Sequence, residues 1–359
     1  MRSWLLLLVA ALVAIAATGC GGRDVDKVLE QTFSGSAGVR SGRLNLRLVV
    51  DAKGVPGQRG PLTIAVTGPF QSQPAGPPKF DLDVRLASNG ATVTAGAVST
   101  GDRGFIKLQG SSYAVPDSVF AGFRQGFERV RAQRAPTARN PSLASLGIDP
   151  RKWMKDPRDE GEGVVAGQAT THVSSGIDVR RLLSDLVGLL ERASRLGVAS
   201  NRRLPTMLSG RQRAAVSEAI EEPSFDVFSG RDDHILRKIR MAFAFKVPEE
   251  RRLRANGLRS GKVRFEVELG GVNQPQAVRA PANPRPFTEL GGALSAVAAL
   301  GPLITPGARS ESGGGATLGP GQSSPSKTPA SAQAYAQCVT AAGGDLAKAQ
   351  VCSKLLPSR

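Results

Sequence analysis

The feature that most constrains the fold is a period of two. Leu44, Leu46, Leu48 and Val50 alternate with Arg43, Asn45 and Arg47. Leu62, Ile64 and Val66 repeat the pattern, and Phe80, Leu82, Val84 and Leu86 alternate with Asp81, Asp83 and Arg85. Successive side chains of a strand point to opposite faces, so this alternation predicts antiparallel strands with one apolar and one wet face. Asn89-Gly90 lies between two such runs and reads as a two-residue hairpin turn, which needs positive φ at both central positions. Residues 91–98, 105–108 and 113–115 continue the meander. Far along the chain, residues 235–247 place Ile239, Met241, Phe243 and Phe245 on one face, and residues 263–269 do the same with Val263, Phe265, Val267 and Leu269.

Helical period fills the remainder. Asp24 caps a brief helix that runs to Phe33, and Asp117 opens a helix whose Phe120, Phe123, Phe127 and Val130 form one stripe. After a Pro/Arg-rich loop come a strand pair over 164–173 and a helix opened by Asp178. That helix carries Val179, Leu182, Leu183, Leu186, Leu189 and Leu190 on a broad apolar face. A further helix is expected from about residue 206 to 220. A sheet with one apolar face and helices with apolar stripes must cover each other, so the expected class is α+β, one antiparallel sheet with helices on one face.

The amino terminus sets the expected compartment. Residues 1–19 carry one charge (Arg2), an apolar run over 4–17 and then small residues, which reads as a secretory signal. The run ends in Ala17-Thr18-Gly19-Cys20, which looks like a bacterial lipobox, with Ala where the first position is more often Leu. Cys20 is then the lipidation site and residues 20–23 a lipidated tether. Several acyl chains there exceed the single-chain threshold for stable anchoring. Cys338 and Cys352 flank Gly343-Gly344 in two short helical stretches. Their spacing suits a disulfide that staples a helical hairpin over 333–359, worth about 3 kcal/mol in the chain-entropy model. Residues 289–332, dominated by Gly, Pro, Ser, Thr and Ala from 301 onward, read as a flexible linker, which leaves 24–288 as the main domain.

Charge and chemistry narrow the function. The chain of 359 residues has 47 basic against 30 acidic residues, a formal charge of +17. Such an excess fits an anionic partner or simply GC-rich codon usage, and both readings stay open. Export argues against nucleic acid. The basic cluster Arg251, Arg252, Arg254, Arg259 and Lys262 reads first as a solvated turn and second as a contact for anionic headgroups. With two histidines and three cysteines, no multi-ligand metal site is expected. Residues 161–167 give GxGxxxG ahead of a strand, where the dinucleotide motif needs a helix, and residues 257–263 are too short for a phosphate loop. His172 and His234 lack a GxSxG elbow to serve. No catalytic residue, cofactor or enzymatic activity is therefore expected.

The lipobox, the short helix and Ser41-Gly42-Arg43 opening a strand meander resemble the actinobacterial LppX/LprG-type lipoproteins. So do Gly101-Asp102-Arg103-Gly104-Phe105-Ile106-Lys107, then Gly110-Ser111-Ser112-Tyr113, and the later Thr171-His172-Val173 leading to Ile177-Asp178. The resemblance covers roughly residues 24–270, and the Arg/Pro-rich stretch 129–158 departs from it. It implies a LolA/LolB-like fold, a curved, unclosed antiparallel half-barrel with helices plugging its concave face. It also implies carriage of a lipid or other acylated molecule by a monomer anchored at the outer face of the plasma membrane. The candidate cavity lining is then Leu44, Leu46, Leu48, Leu82, Val84, Phe120, Phe123, Phe127, Leu183, Leu186, Met241, Phe243, Phe245 and Phe265. Each buried methylene of a ligand gains about 0.8 kcal/mol. A filled core satisfies the same alternation, and the chain would then be an envelope sensor or adaptor that binds a protein partner.

Overall fold

The computed structural model describes residues 24–34, 38–132, 149–195, 210–253, 255, 257–299 and 338. Its first six strands form a meander: β1 (Ser41–Lys53), β2 (Leu62–Gln71), β3 (Lys79–Ser88), β4 (Ala91–Ser99), β5 (Gly104–Leu108) and β6 (Ser111–Ala114). Five more form a second: β7 (Met154–Val165), β8 (Gln168–Ile177), β9 (Ile220–Gly230), β10 (Leu236–Lys246) and β11 (Ser260–Gly270). The two meanders meet through their first and last strands. β1 pairs antiparallel with β11 from Arg43–Gly270 to Lys53–Ser260. The product is one eleven-stranded sheet in the order β6-β5-β4-β3-β2-β1-β11-β10-β9-β8-β7, curved and unclosed.

Among the described residues five helices accompany it: α1 (Val25–Phe33), α2 (Asp117–Ala132), α3 (Val179–Arg195), α4 (Gly210–Ala219) and α5 (Leu290–Ala299). Asp24 caps α1 as expected, its carboxylate accepting from Lys27 N–H at 3.1 Å. The dry core lies where α1, α3 and the 3-10 turn Pro150–Trp153 cover β8, β9 and the first half of β10. It joins Leu29 and Phe33 to Trp153, Val173, Ile177, Leu182, Phe225, Val227 and Ile239. Trp153 meets Phe225 edge-on, with centroids 6.3 Å apart, and its indole N–H donates to Asp185 Oδ2 on α3 at 2.8 Å. A second, smaller cluster unites Leu108, Tyr113 and Leu290 at the opposite flank.

Several expectations change. The strand pair expected over 164–173 is a longer hairpin, because β7 begins at Met154, inside the stretch read as loop. Its charged sequence lacks alternation because it is the sheet's outermost strand and touches little core. β9 goes unpredicted, although Phe225 and Val227 are among the most buried residues, at 1% and 0% exposed. Glu221, Glu222 and Pro223 conceal its start, where the register with β10 shifts between Ala242 and Ala244. The helix expected over 206–220 is described only from Gly210 and yields to β9 at Ile220. Residues 290–299, grouped with the linker by composition, are helical as α5, and Leu290 is buried. Residues 300–332 and the hairpin expected over 333–359 lie outside the described residues, except Cys338.

Both sheet edges are managed. At β6, Arg285 N–H donates to Ser112 O at 2.7 Å and Ala114 N–H to Arg285 O at 2.9 Å, so a returning segment covers the edge. Beyond β8, the edge strand β7 carries Pro157, a run of charged residues and two register shifts, features that discourage further pairing.

This layout predicts unequal costs for one truncation made at two places. Phe225→Ala is expected to lower the unfolding free energy by about 3–5 kcal/mol, whereas Phe243→Ala, at a half-buried site, should cost less than about 2 kcal/mol. Urea unfolding followed by Trp153 fluorescence measures both.

A candidate apolar binding face

Register carries one apolar face across the sheet. Leu108, Ala95, Val84, Val66, Leu46, Val267, Ile239, Val227 and Val173 stand opposite one another in turn, from β5 to β8. At about 4.8 Å per strand this row is roughly 38 Å long. Beside it run Val93, Leu86, Ile64, Leu48, Phe265, Met241 and Phe225. Nothing polar interrupts either row.

Cover over this face is graded. Val173, Phe225 and Val227, beneath α1 and α3, are fully buried. On the strands between the two core clusters, Leu44, Leu46, Leu48, Leu82, Val84, Met241, Phe243, Phe245 and Phe265 are only half-buried. Of the expected lining, the structure thus brings the strand residues onto one surface: Leu44 opposite Leu269, Leu48 opposite Phe265, and Phe265 opposite Met241. Leu183 of α3 packs against the main core together with Met241. On α2, Phe120 is buried against Gly104, Phe127 is half-buried, and Phe123 is 45% exposed with its ring 5.5 Å from that of Phe120. Leu186 lies on α3, but its side chain is outside the described residues, as are Cys20 and Cys352.

The opposite face is ionic. Arg47, Glu266, Arg240 and Asp226 stand in one cross-strand row of alternating sign, a favourable arrangement for directly opposed residues. Lys238 bridges Glu266 at 2.9 Å and Glu268 at 3.2 Å, and Lys107 pairs with both Asp81 and Asp83. Partial burial opposes the Lys107 charge, but the hydrogen bonds and charges of Asp81 and Asp83 outweigh it, so its pKa is raised. His172 sits here as well. Its Nε2 is 2.8 Å from Asp226 Oδ1, and its ring stacks on Phe228 at 4.2 Å, beneath Arg240 at 5.6 Å from the Phe228 centroid. No local pattern announces this cluster, because its members join only when β8, β9 and β10 pair. Ser174, nearby, donates its hydroxyl to Glu160. The arrangement is a packed ionic plate with the histidine held between an acid and a ring. His234 occupies the β9–β10 turn at φ +52°.

Two further features bear on chemistry. An open cleft of about 440 Å³ near the start of α3 is lined by Lys152, Arg180, Arg181, Ser184 and Asp185. Among the described residues no group of three or more His, Cys, Asp or Glu is placed to hold a metal ion, and no helix is long and apolar enough to cross a membrane.

No protein-family model matches the chain, and no curated protein matches it significantly. Solved structures similar to it include LprF from Mycobacterium bovis, at 12% identity and a TM-score of 0.35 over 72% of this chain and 98% of that one. The lipoprotein LppX of Mycobacterium tuberculosis is similar at 13% identity and a TM-score of 0.32, over 71% and 99% of the two chains. A LolA superfamily protein from Nitrosomonas europaea follows at 7% identity and 0.17, over 70% and 94%. Similarity at this level assigns no ligand and no residue role here.

The half-buried rows are expected to bind the hydrophobic dye ANS in the native state. Leu48→Glu places a carboxylate in the middle of the face, and desolvating it against an apolar ligand should weaken dye binding roughly tenfold. Fluorescence titration reads the change, with unfolding curves confirming that the variant stays folded.

Proposed function

We propose that the chain is an exported lipoprotein, anchored to the membrane through acylated Cys20, that binds or carries a lipid or other acylated molecule against the apolar face of its sheet. The observation that carries this reading is the graded cover of that face. A sheet built to be filled by its own helices would be dry along both apolar rows, as it is at Phe225 and Val227. Along Leu46, Leu48, Val84, Met241, Phe243 and Phe265 it is half-buried, which leaves apolar area for acyl chains at about 25 cal/mol per Å². The rows are long enough to take an extended chain across several strands. Binding in such a trough needs orientation and exclusion of water rather than catalysis, so the protein acts without a catalytic group or cofactor. A disulfide between Cys338 and Cys352 fits the same oxidising compartment.

Two measurements test the reading. Native mass spectrometry of the protein purified from its own membrane should show a co-purifying acylated species. An apolar face that also fails to take up a fluorescent fatty-acyl probe would sink the carrier reading and leave the sensor or adaptor. Separately, Cys20→Ala is expected to move the protein from the membrane to the soluble fraction after export. Retention in the membrane would show that Cys20 is not the anchor.

A further inference from the structure

One end of the sheet is basic and, at its tip, apolar. The β1–β2 and β10–β11 connections meet there through their backbones. Gly54 and Gly257 have φ of +90° and +81°, and a Cβ on Gly54 would stand 2.3 Å from Gly257 O, so only glycines permit the approach. Arg259 N–H donates to Lys53 O at 2.8 Å. The β3–β4 turn joins through Asn89, whose Nδ2 donates to Gly57 O at 3.0 Å and whose Oδ1 accepts from Arg59 N–H at 2.8 Å. Three turns therefore form one tied rim.

The rim presents Lys53, Arg59, Arg251, Arg252 and Arg259 against Asp51, Glu249 and Glu250. Lys53 is paired with Asp51 at 3.1 Å and Arg252 with Glu249 at 3.3 Å. Arg59, Arg251 and Arg259 form no ion pair among the described residues. Between them Leu253 is 94% exposed, carried by a turn closed by Ala255 N–H to Arg251 O at 3.0 Å and Gly257 N–H to Arg252 O at 2.8 Å. Directly behind the rim lies the half-buried end of the apolar face, where Val50, Leu62, Val263 and Phe243 stand opposite one another across four strands.

A leucine held out in water costs hydrophobic free energy unless something covers it, and uncompensated arginines around it reject an apolar protein surface. A bilayer with anionic headgroups suits both: the leucine enters the acyl boundary while the arginine stems lie along it and their guanidiniums reach the phosphates. We propose that this rim is a docking surface for an anionic lipid bilayer, with Leu253 as the inserted residue and Arg59, Arg251 and Arg259 as headgroup contacts. Docking brings the open end of the apolar face to the bilayer, and that use rests on the lipid-carrier reading. The docking itself does not depend on it.

The test is sedimentation of the exported chain carrying Cys20→Ser, which removes the acyl anchor, with vesicles of phosphatidylcholine alone or mixed with phosphatidylglycerol. Binding is expected only to the mixed vesicles and should fall as salt rises. Arg251→Ser should weaken it about fivefold, the share of one basic residue at such a surface, and Leu253→Ser about tenfold. Both side chains are exposed, so the fold should be unaffected, which thermal unfolding verifies. Arg103→Ser, in the β4–β5 turn at the other end of the sheet, should bind as the parent does. Equal binding to both vesicle types, an equal loss with Arg103→Ser, or no loss with Leu253→Ser would each overturn the proposal. Uptake of a fatty-acyl probe in vesicle-free solution reports on the carrier reading alone, so failure of either idea is distinguishable from failure of the other.

Discussion

The pairing of β1 with β11 is the contact on which the rest of the sheet depends. It joins residues that lie more than two hundred positions apart in the chain, Arg43 with Gly270 at one end and Lys53 with Ser260 at the other. Without it the chain holds a six-stranded and a five-stranded meander, each with half of an apolar face and an extra bare edge. With it, Leu46 meets Val267 and Leu48 meets Phe265, and both apolar rows run on unbroken. Each opposed pair contributes roughly 0.2–1 kcal/mol, so a strand-long register is a substantial fraction of a domain's net stability. The seam also offsets the entropy of closing so long a loop, a cost that grows only slowly with length.

The seam explains the contrast between the faces. A register that aligns apolar residues on one side must align their sequence neighbours on the other, and those neighbours are charged. Arg47, Glu266, Arg240 and Asp226 therefore fall into alternating sign by the same geometry that aligns Leu46 with Val267. Such exposed pairs add little stability individually. They specify register, because a slip of one residue would carry charges onto the apolar face. The apolar side is thereby freed from carrying the whole burden of specificity and tolerates incomplete cover over Leu48, Phe243 and Phe265.

Much of this was legible in the chain before folding. The alternation over Leu44–Val50 and Phe80–Leu86, the Asn89-Gly90 turn and the Asp24 cap all appear where local pattern places them, because in each case one face or one hydrogen bond decides the conformation. β7 and β9 were hidden for opposite physical reasons. β7 lies at an edge and buries apolar side chains only at its ends, Met154 against the core and Val165, so it shows no apolar period between them. β9 buries Phe225 and Val227 but begins with Glu221, Glu222 and Pro223, which local rules assign to a loop. α5 was masked by its small residues, and only the docking of Leu290 on Leu108 and Tyr113 distinguishes it from linker. As for the candidate site, which strand residues share a face follows from sequence, while how deeply each is covered does not. Cover depends on where α1, α2 and α3 come to rest, as the exposure of Phe123 beside buried Phe120 shows.

The two sheet edges carry a consequence for how copies of the protein behave together. An unclosed sheet is a template that a neighbour can extend, strand upon strand, and crowding multiplies the chance. Here one end of the template is occupied by the chain's own segment at Arg285. The other end offers Pro157, which has no N–H to give, bulges that turn the backbone, and carboxylates that repel their own kind. The molecule can thus keep a wide apolar surface half open and still be discouraged from polymerising, because what would nucleate a fibre is the edge, and both edges are blunted.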